Sequence, residues 1–156
     1  MNQFSHIDLE LLYKDTGLSS HMEDYMEAIV ILTSDNRVVR VKDIAKKLNI
    51  KMPSVTAALN KLKQLHLIEY EKYGFIELTD AGRIIADRVY NKHACLSGFF
   101  KKVLTLNPEN SDSEACKVEH VLSTETCIRL HKFMDFIREE EDNKESWIDR
   151  LHDRLK

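Results

Sequence analysis

Little in this sequence stiffens or breaks a chain: two prolines, four glycines and one tryptophan in 156 residues. So few breakers beside many helix formers predict a mainly α fold. Cysteines are sparse and odd in number (Cys95, Cys116, Cys127), which excludes a disulfide scaffold. No apolar run approaches the ~20 residues of a membrane span, and the N-terminus lacks a signal-peptide core. The expectation is a cytoplasmic protein with no membrane partner. Nothing resembles a glycine-rich loop or an oxyanion hole, so neither an enzyme nor a small-molecule substrate is expected.

What is there is an ordinary globular mixture, 43% hydrophobic and 31% charged, long enough for one or two small domains. The net charge of −3 is unevenly spread. Between Asn36 and Lys72, nine Lys and Arg face three acids, whereas from His93 onward ten basic residues face thirteen acidic ones. The basic block is where a polyanion should bind.

Taken in order, residues 1–19 are weakly patterned, with Phe4, Ile7, Leu11 and Leu12 hinting at a short amphipathic helix before Gly17. Ser20-His21-Met22-Glu23 reads as a capping box opening a helix to about Thr33. Asp24 and Glu27 share one face of it, which taken alone is a solvated acidic face. His21 fits a capping-region histidine better than an extra ligand.

Val38–Val41 is short enough only for an edge strand, Asp43 to Leu48 is a short helix, and Asn49-Ile50 turns out of it. Lys51-Met52-Pro53-Ser54 opens a second helix with apolar Val55, Leu59, Leu62 and Leu65 inward. Its other face carries Ser54, Thr56, Ala57, Asn60, Lys61 and Lys63. Two short helices, the second with small polar and basic residues at its start, form a helix-turn-helix pattern. Strand signals at 67–71 and 75–78, joined through Lys72-Tyr73-Gly74, add a hairpin, so the unit reads as a winged helix.

Thr79 caps a long helix to about Leu104, with His93 in its middle. Alone, that histidine reads as an ordinary surface or core residue. After the Asn107–Ser111 loop comes Glu114-Ala115-Cys116-Lys117-Val118-Glu119-His120. At ~100° per residue, Cys116 lies within roughly 60° of Glu119 and 40° of His120 on a helix. Thiolate, carboxylate and imidazole together suit a divalent transition metal, although a Cys and a His one turn apart more often simply pack. Further helices follow around Cys127–Ile137 and Trp147–Leu151, with Glu139–Asp142 an acidic break between them. Together they carry more apolar surface than a small bundle buries, which points to a dimer interface.

The combination resembles the diphtheria-toxin-repressor and manganese-transport-regulator family of metal-activated repressors. The resemblance covers roughly residues 20–140 and rests on Glu23-Asp24-Tyr25, Glu27, Lys51-x-Pro53-Ser54-Val55, Leu78-Thr79-x-x-Gly82 and the Cys116 segment. It implies an N-terminal winged helix-turn-helix over 1–80, with 1–19 as an extension. Residues 81–156 would be a linking helix plus an all-helical metal-binding and dimerisation domain.

It also implies that Asp24, Glu27, His93, Cys116, Glu119 and His120 are metal ligands. Asp24 matches the manganese branch and Cys116 the iron branch, so the set is a hybrid. Ser97 and Asp112 stand where the iron branch places its second-site ligands. The chain ends before the SH3-like domain of that branch, which favours the compact manganese type. The implied cofactor is Mn(II) or Fe(II), one or two ions per subunit, with other divalent transition metals binding in vitro.

The implied partner is double-stranded DNA at a palindromic operator, bound by a homodimer. Ser54, Thr56 and Ala57 should lie near base edges together with Pro53, and Arg40, Lys51, Lys61, Lys63 and Lys72 on phosphates, with Tyr73 at the wing tip. The competing function is a winged-helix regulator using Cys95, Cys116 or Cys127 as a thiol redox switch.

Overall fold

The computed structural model describes residues 8–35, 38–71, 74–140 and 147–155. It consists of α1 (Leu9–Leu12), α2 (Ser20–Asp35), α3 (Val41–Leu48), α4 (Met52–Gln64), β1 (Ile68–Tyr70), β2 (Ile76–Leu78), α5 (Asp80–Lys102), α6 (Pro108–Val118), α7 (Thr124–Glu140) and α8 (Trp147–Leu155). Among the described residues, no helix is long and apolar enough to cross a membrane. The chain forms two compact units, Thr16–Tyr90 and a second made of Met1–Asp15 with Asn91–Lys156. Helix α5 contributes its first half to one and its second half to the other.

The first unit is the winged helix. Helix α2 begins at Ser20, where the Ser19 carbonyl takes the Met22 and Glu23 N–H groups. Ser20 is thus the first helical residue rather than the cap, and Glu23 accepts a hydrogen bond from the Thr16 hydroxyl at 2.6 Å.

Helix α3 starts where the Asp43 carboxylate accepts the Arg40 N–H at 2.9 Å. It stops at Asn49, whose left-handed backbone (φ 53°) turns its N–H back onto Ala45 and Lys46. Lys51 then caps α4, and Pro53 sits in its first turn, where its missing N–H costs nothing.

Past α4, His66 (φ 56°) reverses the chain into β1, which pairs antiparallel with β2 in the register Ile68↔Leu78, Glu69↔Glu77, Tyr70↔Ile76. The expected Val38–Val41 strand is reduced to one bridge, Val39 to Ile76, because α3 already begins at Val41. Met26, Ile29, Ile44, Val55, Leu59, Leu62 and Ile68 are all 0–1% exposed and form one continuous core. Each such side chain contributes about 1.5–3 kcal/mol by leaving water.

Gly82 lets α5 start against this unit. A Cβ there would overlap the Leu67 carbonyl, and the Thr79 hydroxyl joins the same corner by accepting from Gly82 N–H and donating to His66 O. No other residue type fits so close an approach.

The second unit holds two smaller clusters. One packs Tyr13, Cys127 and Ile128 with Leu9, Leu12 and Leu122. The other packs Val103, Met134 and Ile137 with Phe99, Phe133, Trp147, Ile148 and Leu151. The N-terminal segment was expected to extend the winged helix, but residues 8–15 pack with α7 because Tyr13 and its leucines bury against Cys127 and Ile128. Val121, Phe136 and Leu155 remain exposed.

Candidate metal centre and nucleic-acid interface

In the second unit, α5 supplies His93 and the end of α6 supplies Cys116, Glu119 and His120. Asn107 caps α6 by accepting the Asn110 N–H at 2.8 Å, and Pro108 fixes its first turn. The helix runs to Val118, and Glu119 keeps helical dihedrals as its C-cap (φ −57°, ψ −33°). The helical spacing that places Cys116, Glu119 and His120 on one side therefore persists through the cap.

Glu119 is the centre of the group. It is 1% exposed, and among the described residues its Oε1 has no hydrogen-bond partner. His93 Nδ1 lies 2.8 Å from Glu119 Oε2, Cys116 Sγ lies 3.8 Å from the same Nδ1, and His120 Nε2 lies 3.4 Å from Glu119 Oε1. One ligand atom each from His93, Cys116 and Glu119 falls within 4.8 Å of the others.

A buried carboxylate with an unsatisfied oxygen is costly unless a cation compensates it. Here the groups around it are two imidazoles and a thiol, the donor set of a divalent transition metal. The residues present fit such an ion.

On its other edge His93 faces Asp112, with Nε2 3.7 Å from Oδ1, and that oxygen accepts the Ser97 hydroxyl at 2.5 Å. Asp112 and Ser97, the two departures from the iron branch, thus engage each other beside His93. Sequence reasoning did not connect them, since a Ser and an Asp fifteen residues apart carry no local signal.

Asp24 and Glu27 stand in α2 of the first unit. Glu27 is buried, and Asp24 lies 3.8 Å from His21 Nδ1, whose own side chain is almost fully exposed. His21 is thus a surface histidine on the first turn.

The nucleic-acid surface is likewise built in the first unit. Helix α4 presents Lys51, Pro53, Ser54, Ala57 and Lys61 exposed, with Thr56 half-buried. A groove of about 720 Å³ runs beside them, lined by Arg40, Lys42, Met52, Pro53, Thr56, Ala57, Asn60 and Tyr70. Lys42, Met52 and Tyr70 line it beyond the residues expected from the sequence, while Asn60 already stood on the outward face of α4. The signal for Met52 was its spacing to Thr56 and Asn60, one turn apart along a single stripe.

Arg40 is held in place, its guanidinium 5.1 Å above the Phe75 ring. Lys63 behaves differently from its neighbours: its ammonium donates to the Tyr70 carbonyl at 2.8 Å and ties α4 to β1. Lys72 and Tyr73 lie outside the described residues.

The thiol-switch alternative finds no support. Burial pushes both the Cys95 and the Cys127 thiol up, the opposite of what activates a redox cysteine.

Comparison with known proteins gives this geometry its family. Residues 17–76 match the family model described as iron dependent repressor, N-terminal DNA binding domain. Residues 79–148 match iron dependent repressor, metal binding and dimerisation domain. An uncharacterised HTH-type transcriptional regulator of Methanocaldococcus jannaschii is 38% identical, over 76% of this chain and 95% of that one. The HTH-type transcriptional regulator MntR of Geobacillus thermodenitrificans is 34% identical over 77% of this chain and 84% of its own.

Among solved structures, the manganese regulator SloR is similar with a TM-score of 0.65 and 30% identity, covering 74% of this chain and 54% of its own. The chain thus spans about half the length of that structure. These relatives are described as regulators, two of them as HTH-type transcriptional regulators. The chain belongs to the iron-dependent repressor family of DNA-binding, metal-binding and dimerising transcription regulators.

Proposed function

We propose that this regulator is a repressor activated by a divalent metal, Mn(II) first and Fe(II) next, controlling genes of metal uptake. The observation that carries the reading is Glu119, a carboxylate 1% exposed with imidazoles and a thiol around it. His93, Cys116, Glu119 and His120 would hold the ion, and Asp24 and Glu27 of α2 would complete its ligands. When bound, a divalent cation supplies positive charge that offsets about −4 on the ionised set.

Asp24, a hard oxygen donor, favours Mn(II), and SloR is described as a manganese regulator. Cys116, a softer donor, draws the preference toward Fe(II).

The chain's own residues account for the switch. Without compensating charge, three carboxylates and a Cys116 thiolate would repel one another. Brought together, they fix one spacing of two winged helices in a homodimer. That spacing suits successive major grooves of a palindromic operator, ~34 Å apart or a multiple. Metal acts by favouring the DNA-competent state over the loose one. On the DNA, Ser54, Thr56 and Ala57 would read base edges while Lys51, Lys61 and Arg40 rest on phosphates.

The deciding experiment is DNA binding by chelator-stripped protein on its own promoter region, titrated with Mn(II), anaerobic Fe(II) and Zn(II) at fixed salt. Affinity that appears only with metal is the expected result, and the ranking of the three ions assigns the hybrid site. Equal affinity with and without metal removes the switch. Cys116→Ala should fold normally and respond to metal more weakly.

A further inference from the structure

Residues 8–15 precede both family-model matches, which begin at residues 17 and 79, yet Tyr13 among them is buried like a core residue. Tyr13 is 2% exposed, and Leu9 and Leu12 pack beside it against Cys127 and Ile128. The Tyr13 hydroxyl lies 2.8 Å from His131 Nδ1, and the Thr124 hydroxyl donates to the Tyr13 carbonyl at 2.9 Å.

Burial, with Cys95, Cys127 and Asp135 nearby, pushes the Tyr13 phenol up, so it stays protonated beside His131. On the other side of the ring, His131 Nε2 lies 3.5 Å from Asp135 Oδ2. Helix α7 therefore holds this segment by its backbone, its phenol and its apolar side chains at once.

The chain passes into the winged-helix unit at Thr16, whose hydroxyl donates to Glu23 of α2 at 2.6 Å. Asp24 is the next residue. The winged-helix unit is consequently joined to the second unit at both of its ends, through residues 8–15 before α2 and through α5 after β2.

We propose that residues 8–15 are a strap, with Tyr13 as a positioning residue that keeps Asp24 and Glu27 within reach of the Cys116 centre. Six residues, Lys14 to Ser19, separate Tyr13 from α2. They span at most about 25 Å when fully extended. A tether this short holds the α2 carboxylates at a high effective concentration, so the metal spends less of its binding energy on gathering its ligands. Without the strap, α5 alone connects the two halves of the ligand set. The inference rests on the ligand assignment of the proposed function.

The test is Mn(II) affinity of the full chain, measured against a competing chelator, alongside hydrogen exchange of residues 9–13. Tyr13→Ala should speed exchange there and weaken Mn(II) binding about tenfold, with stoichiometry and helix content unchanged. Tyr13→Phe, which keeps the burial and loses the hydrogen bond, should weaken it by less, about two- to threefold.

Leu9→Ser with Leu12→Ser releases the strap from half-buried positions and replaces Tyr13→Ala if that variant misfolds. Fast exchange with unchanged Mn(II) affinity overturns the strap. A wild-type chain that binds none of Mn(II), Fe(II) or Zn(II) overturns the proposed function itself, and the strap with it.

Discussion

The two units of this chain bury their apolar residues in different ways. The winged helix has one continuous core in which seven large side chains are at most 1% exposed. The second unit divides its buried residues between two small clusters. A core so divided has more to gain from association, in keeping with the match of this unit to a metal binding and dimerisation domain.

Deleting core volume is the strongest way to break the contrast. Leu59→Ala removes a fully buried side chain from the winged-helix core and should cost about 3–4 kcal/mol in denaturant unfolding of that unit. The midpoint for this unit should not move with protein concentration, whereas that of the second unit should rise.

Gly82 and Gly98 sharpen the comparison, since they lie in opposite halves of the same helix. Gly82→Ala forces a methyl into the Leu67 carbonyl and should destabilise by roughly 2–3 kcal/mol, seen as a lowered Tm. At Gly98 a Cβ meets only the Met134 methyl at 3.7 Å, so alanine fits. Gly98→Ala should stabilise by about 0.5–1 kcal/mol, the smallest effect in the set.

Between these lies a chemical contrast within the second unit. At about pH 7.5, iodoacetamide should alkylate exposed Cys116 and spare Cys95 and Cys127, whose thiols burial holds protonated. Because the shift is upward, their labelling should begin only above the ordinary thiol range or on unfolding. Mn(II) should protect Cys116, measured by mass spectrometry. Equal labelling of all three would erase the distinction.

Much of the winged helix was legible because its signals are local. Periodicity marks α2, α4 and α5, Pro53 marks the start of α4, and Asn49 marks the end of α3 through its tolerance of left-handed backbone. The Cys116, Glu119, His120 grouping was legible for the same reason, being one turn of helix.

What stayed hidden depends on distant partners. Nothing near Tyr13 announces His131, 118 residues away. Nothing near Ser97 announces Asp112, and Glu119's burial comes from neighbours the sequence does not list beside it. Ser20 misled because capping residues recur: a Ser three residues before a Glu is common, and here Thr16 reaches that Glu first. Val38–Val41 misled because β-branched residues suit a strand, while the helix already begins at Val41.

The bond from Lys63 to the Tyr70 carbonyl bears on how this protein should be counted as a polyelectrolyte. Each lysine or arginine that lands on a phosphate frees condensed counterions and adds about 0.9 to the slope of log affinity against log salt. Lys63, exposed but directed at the wing's own backbone, is expected to free none. Each half-site should therefore release one fewer ion than its basic residues suggest, and Lys63→Met should loosen the wing while leaving that slope where it was.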